Sequence, residues 1–132
     1  MAHGAPLEAL KQAQADSIEA RRAHFDALVD ILDGRAAPLT TALSWSKEDD
    51  MQGIRWMRDW LMDLLRIVIT GQTSGVRSAD LLDRLVRLAH RLDSRILFEQ
   101  LERINRVLGV TTGSLNRQLL TEEILLAWAA QK

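Results

Sequence analysis

The chain has 132 residues, of which 47% are hydrophobic and 27% charged, with a net charge of −1 and no cysteine. This composition fits one globular domain with its own core, and it excludes disordered chains, disulfide scaffolds, thiolate metal sites and cysteine nucleophiles. The balance of charge lacks the basic surplus of a dedicated nucleic-acid binder, and no run of about eighteen apolar residues is present to span a membrane.

The first residues, Met1 to Pro6, lack the basic and apolar regions of a signal peptide. Met1-Ala2-His3 is compatible with a cloning remnant, in which case the chain is a fragment of a longer one. Pro6 to Gln14 predicts a short helix, with Pro6 in its first turn. Asp16-Ser17-Ile18-Glu19 predicts a capping box that starts a second helix, running to Asp33 and stopped by Gly34. Its buried stripe is Ile18, Phe25, Leu28, Val29 and Leu32.

Pro38 to Leu43 predicts another short helix. Ser46-Lys47-Glu48-Asp49 is read as the cap of a long one reaching Thr70. That helix has a thin polar stripe of Arg55, Asp59, Asp63 and Arg66, expected to form ion pairs on a solvated edge. Trp56, Trp60 and a run of aliphatic residues fill the rest, so it is expected at the centre of the fold. Gly71 to Arg77 is the one extended loop. Ser78 is expected to cap a helix to Arg91, and Asp93-Ser94 to join it to another ending at Leu108, with Leu97, Leu101, Ile104 and Leu108 as its stripe. Thr111 to Ser114 turns the chain into a last helix. No segment alternates with a period of two. The expected fold is an all-α antiparallel bundle of about five to seven helices with short connections.

Chemistry is sparse. Gly71-Gln72-Thr73-Ser74-Gly75-Val76-Arg77-Ser78 departs from a phosphate-binding loop in spacing, in having Arg for Lys, and in following a helix, so it reads as an ordinary loop. His24 and His90 have no local partners spaced for metal and read as packed or solvated. Asp59 and Asp63, one turn apart, read as members of the ion-pair stripe. Arg84, Arg87, Arg91 and Arg95 form a basic face with Asp80 and Asp83 nearby. The bland reading is an internally paired solvated face, and the functional alternative is a helical DNA-binding or regulatory module using the Arg84–Arg95 face. No cofactor, metal or small-molecule substrate is expected.

The last helix is unusual. It carries apolar residues around most of its circumference, and its polar arc of Gln118, Thr121 and Glu122 is interrupted by Leu125. Such a helix is central in a bundle or covered from two sides. Asn116 is expected to cap it. Leu115, Asn116, Arg117, Gln118, Glu122, Leu125 and Trp128 are the candidate partner interface, with Leu125 and Trp128 offered to another subunit.

Leu115-Asn116-Arg117-Gln118-Leu119-Leu120 followed by Glu123-Ile124-Leu125-Leu126-Ala127-Trp128 resembles the closing helix of the delta-prime subunits of bacterial DNA polymerase III clamp loaders. Trp56 to Leu65 is similar to the long collar helix of that family, Leu97 to Leu108 to its next-to-last helix, and Gly4 to Leu10 to the last lid helix of the ATPase core. The resemblance implies a lid remnant over residues 1–15 and a helical collar domain over 16–132. It further implies a non-catalytic scaffold, in a bacterial cytoplasm, that packs against gamma/tau-type and delta-type subunits and meets DNA only through the whole complex. Leu7 stands where ATP-hydrolysing subunits carry a lid arginine, a departure that suits delta-prime. The arginine finger and the zinc module of that family belong to a part absent from this sequence, so no arginine here inherits the first role.

Overall fold

A computed structural model of the chain describes residues 7–76, 79–109 and 113–131. The predicted Ser78 cap, most of the Thr111–Ser114 turn and the side chain of Leu115 lie outside the described residues. Among those described there are six α-helices and no strand, so the fold is the expected all-helical bundle.

The first helix, α1, is a single element from Leu7 to Leu32. The predicted break at Asp16 does not occur. A cap needs an extended backbone, whereas Ala13-Gln14-Ala15 ahead of Asp16 are good helix formers with no Gly or Pro among them. The Asp16 carboxylate instead accepts from Gln12 Nε2 at 3.0 Å, one turn back. Residues 9–19 are exposed throughout, including Ile18, which was expected in the buried stripe. Phe25, Leu28 and Leu32 are buried as expected, joined by Ile31. Gly34 then takes the left-handed conformation (φ 75°) that ends the helix.

Helix α2 spans Pro38–Ser46, three residues longer than expected, and buries Ala42 and Trp45. Ser46 is its last residue and not the cap of the next helix; its Oγ donates to the Leu43 carbonyl at 2.9 Å. The chain reaches α3 (Gln52–Thr70) through a 3₁₀ turn, Asp49–Met51. Asp50 and Met51 both adopt left-handed backbone conformations (φ 54° and 56°). For side-chain-bearing residues this costs about 1–2 kcal/mol each. Arg55 offsets part of it by donating from Nε to the Asp50 carbonyl at 2.7 Å and from its terminal nitrogen to the Asp50 carboxylate at 3.2 Å.

Helix α3 is the central element, packing on α5, α4, α1 and α2. Ile54, Met57, Trp60, Leu61 and Leu64 are all buried. Trp60 meets the Phe25 ring edge-on, with centroids 5.2 Å apart. The expected solvated polar stripe is only partly so. Asp63 is 2% exposed, and both it and Asp59 have interaction partners within the fold. Crowding by neighbours on several sides leaves α3 no fully solvated edge at Asp63. Gly71 (φ 71°) closes α3 by donating to the Ile67 carbonyl at 2.8 Å.

After the 71–76 loop a 3₁₀ turn, Ala79–Leu81, leads into α4 (Leu82–Ala89). Asp93 caps α5 (Ser94–Leu108), its carboxylate accepting from the Arg95 N–H at 3.0 Å, so the predicted junction forms. Leu97 and Ile104 are buried as expected, whereas Leu101 and Leu108 are only partly covered and Gln100 and Val107 share the inner face. Helix α6 (Ser114–Ala129) packs most extensively on α2, and α1 and α5 take further parts of its surface.

Candidate functional site

Helix α6 starts earlier than expected. Gly113 precedes it in an extended conformation (φ −78°, ψ 173°), and its carbonyl accepts the Arg117 N–H at 3.0 Å. The helix begins before Asn116, which is an exposed helical residue and not the cap. Arg117, Gln118 and Glu122 are half-buried, and Gln118 Nε2 donates to Glu122 Oε2 at 3.1 Å. Thr121 was expected in the polar arc but is fully buried. Its hydroxyl donates to the Arg117 carbonyl at 2.7 Å, which satisfies it locally.

Leu125 (0% exposed) and Trp128 (1%) lie in the core, which corrects the expectation that they face a partner. Trp128 Nε1 donates to the Leu28 carbonyl of α1 at 2.9 Å. On the α5 side, Gln100 Nε2 donates to the Ile124 carbonyl at 2.9 Å, and its oxygen accepts from Arg103 at 2.6 Å. The wide apolar arc of α6 is therefore covered by α1, α2 and α5 of the same domain. What α6 presents outward is the row Asn116, Leu119, Glu123 and Leu126, spaced three and four residues apart. Leu119 is 54% exposed and Leu126 49%. The leucine pair was part of the sequence pattern, but the helix face it occupies depends on which neighbours cover the other sides.

Two arginines of the basic face, Arg84 and Arg91, are paired, though not within their own segment. Arg84 meets Asp26 at 2.5 Å and lies over the Phe25 ring, 4.8 Å from its centroid. Arg91 meets Asp33 at 2.7 Å, and Arg22 meets Asp80 at 3.5 Å. Each of these three partnerships spans the same 58 residues of sequence, so α1 and α4 run parallel and in register. This pair departs from the expected antiparallel order. The carboxylates that neutralise Arg84 and Arg91 come from α1 and its end, and not from the neighbouring Asp80 and Asp83.

Glu48, which no local motif singles out, organises the α2–α3 junction. One of its oxygens, Oε1, accepts the Gly53 N–H at 3.1 Å, and the other, Oε2, lies 2.5 Å from His24 Nε2. His24 Nδ1 lies 2.8 Å from the Ala20 carbonyl. The imidazole stacks on Trp45 and meets Trp56 edge-on, both at 4.9 Å between centroids. Burial works against the charged ring. The hydrogen bond to Glu48, the Ala20 carbonyl and the negative charge of Glu48 outweigh it, and the His24 pKa is raised above its ordinary 6.5. Twenty-four residues separate His24 from Glu48, so no local motif signals the pair.

Among the described residues no three His, Asp or Glu side chains are arranged to hold a metal ion, and no helix is long and apolar enough to cross a membrane. The 71–76 loop joins two helical elements, without the strand a phosphate-binding loop requires. No curated protein and no solved structure matches the chain. The family described as "DNA polymerase III, delta subunit, C terminal" matches residues 15–130, from within α1 to just beyond α6, and the chain belongs to that family.

Proposed function

We propose that this domain is a non-catalytic assembly module of a clamp loader, joining its subunit to gamma/tau-type and delta-type neighbours through the outward face of α6. Membership of the delta C-terminal family supports an assembly role within DNA polymerase III. The observation that carries the choice of face is the exposure of Leu119 and Leu126 on a helix whose remaining sides are packed. Apolar side chains left on a well-packed helix contribute to association when a partner removes them from water. Asn116, Arg117, Gln118 and Glu122 supply the polar rim, with Leu115 at the start of the helix, while Leu125 and Trp128 support the face from beneath.

The delta-prime assignment rests on the sequence pattern alone, chiefly Leu7 in place of the lid arginine, as does the reading of residues 1–15 as a lid remnant ahead of a collar domain over 16–132. In this reading the domain works in the bacterial cytoplasm, and DNA is met only through the assembled complex. Co-expression with the other clamp-loader subunits and measurement of the complex mass tests it. Leu126→Glu is expected to lower recovery of the complex at least tenfold while changing domain stability by no more than about 0.5 kcal/mol. Undiminished assembly of the Leu126→Glu protein removes α6 as the contact face, and a wild-type domain that stays monomeric beside all partners overturns the assembly role itself.

A further inference from the structure

We propose that His24 and Glu48 form a proton-operated latch that clamps the start of α3 against α1 while the imidazole is doubly protonated and loosens it when one proton leaves. The hydrogen-bond inventory supports it. His24 Nδ1 faces the Ala20 carbonyl, which can only accept. His24 Nε2 faces Glu48 Oε2, and the second oxygen of that carboxylate already accepts from the Gly53 N–H. Two acceptors opposite two ring nitrogens are both satisfied by an imidazolium, whereas a neutral ring has one N–H and leaves one acceptor facing a lone pair.

The surroundings make the proton mechanically consequential. His24 belongs to α1, Trp45 to α2, and Trp56 and Gly53 to α3, so three helices meet at one ring. The approach of α3 is close. A Cβ at Gly53 would lie 2.7 Å from Trp45 Cδ2 and 2.9 Å from His24 Cδ2. The same junction holds the left-handed pair Asp50 and Met51, so the latch restrains the segment with the least favourable backbone among the described residues. A positive ring stacked on the Trp45 face gains a further attraction that a neutral ring does not.

Among the described residues, few charges line the surroundings of the ring. The shallow depression beside it is lined by Ala20, Lys47, Glu48, Gln52 and Trp56. Glu48 and Lys47 are the charged groups that line it, and α3 contributes the uncharged Gln52 and Trp56. On α1 the ring meets the Ala20 carbonyl, while the adjacent Arg21 is directed to Asp80 at 3.9 Å. Because folding raises the His24 pKa, the latch contributes its full stability below about 6.5, the unfolded value. That contribution fades as pH rises through the higher folded value.

The test is a pH titration of the intact 132-residue chain by NMR, following the His24 ring together with hydrogen exchange of single amides. The expected result is a His24 midpoint above 6.5 and a protection factor of the Gly53 amide that falls at least threefold across that midpoint, after correction for intrinsic exchange. The Gly71 amide, bonded to the Ile67 carbonyl away from the latch, keeps its protection. Glu48→Gln, which retains an acceptor but not the charge, is expected to lower the His24 midpoint and to abolish the fall at Gly53. A wild-type midpoint at or below 6.5, or Gly53 protection constant across the titration, overturns the latch. If Glu48→Gln does not fold, the wild-type amides decide the question alone.

Discussion

The first half of α1 and the whole of α6 stand at opposite extremes of cover. From Ala9 to Glu19 every residue of α1 is exposed, whereas α6 is packed on three helices of its own domain and buries Thr121, Ile124, Leu125 and Trp128. The number of apolar positions on each follows from the number of its neighbours. With few neighbours, the first half of α1 holds itself together by helix propensity and by local bonds such as Gln12 to Asp16. With several, α6 can carry little polar surface, because nearly every turn meets another element. Amphipathicity therefore measures how much cover a helix needs and says nothing about which chain provides it.

The contrast breaks most visibly at Leu125. Leu125→Asp places a carboxylate in the core of α6 and is expected to destabilise the domain by about 4 kcal/mol or more. Urea unfolding monitored by tryptophan fluorescence measures it. A loss below about 1 kcal/mol accompanied by failed subunit assembly would return Leu125 to a partner surface. Trp128→Phe is milder, keeping much of the ring volume while removing the donor to the Leu28 carbonyl; a loss of about 1–3 kcal/mol is expected in the same measurement. An unchanged midpoint there would mean that the bond between α6 and α1 contributes nothing. Smallest is Ile18→Glu on the uncovered half of α1, expected to shift stability by no more than about 0.5 kcal/mol. A large loss at Ile18 would show that this half of α1 is covered in solution after all.

The helical register of the chain was largely legible. Gly34, Gly71 and Asp93 mark helix boundaries where expected, because stops and caps are local chemistry. The central position of α3 followed from its thin polar stripe. Local chemistry also misled where two local solutions compete. Asp16 can cap or continue a helix, and the strong helix formers around it decided for continuation. The exposure of the candidate interface residues was half legible. Asn116, Arg117, Gln118 and Glu122 retain accessible surface, but Leu125 and Trp128 point inward, since the packing of α2 on α6 joins parts of the chain far apart in sequence. The partners of Asp26 and Glu48 are distant in the same way, and neither spacing nor periodicity encodes a pair 58 or 24 residues apart.

The bond from Trp128 to the Leu28 carbonyl joins residues 100 positions apart. During synthesis, α1 through α5 leave the ribosome before the indole that completes their core does. The growing chain must carry the apolar surfaces of α1, α2 and α5 uncovered until residue 128 has left the ribosome, and closing so long a loop is slow compared with pairing neighbouring helices. Chaperone occupancy of the unfinished bundle therefore bears directly on the yield of this domain, and a stop codon placed just before Trp128 leaves a chain with five whole helices and most of α6 encoded and its core still open.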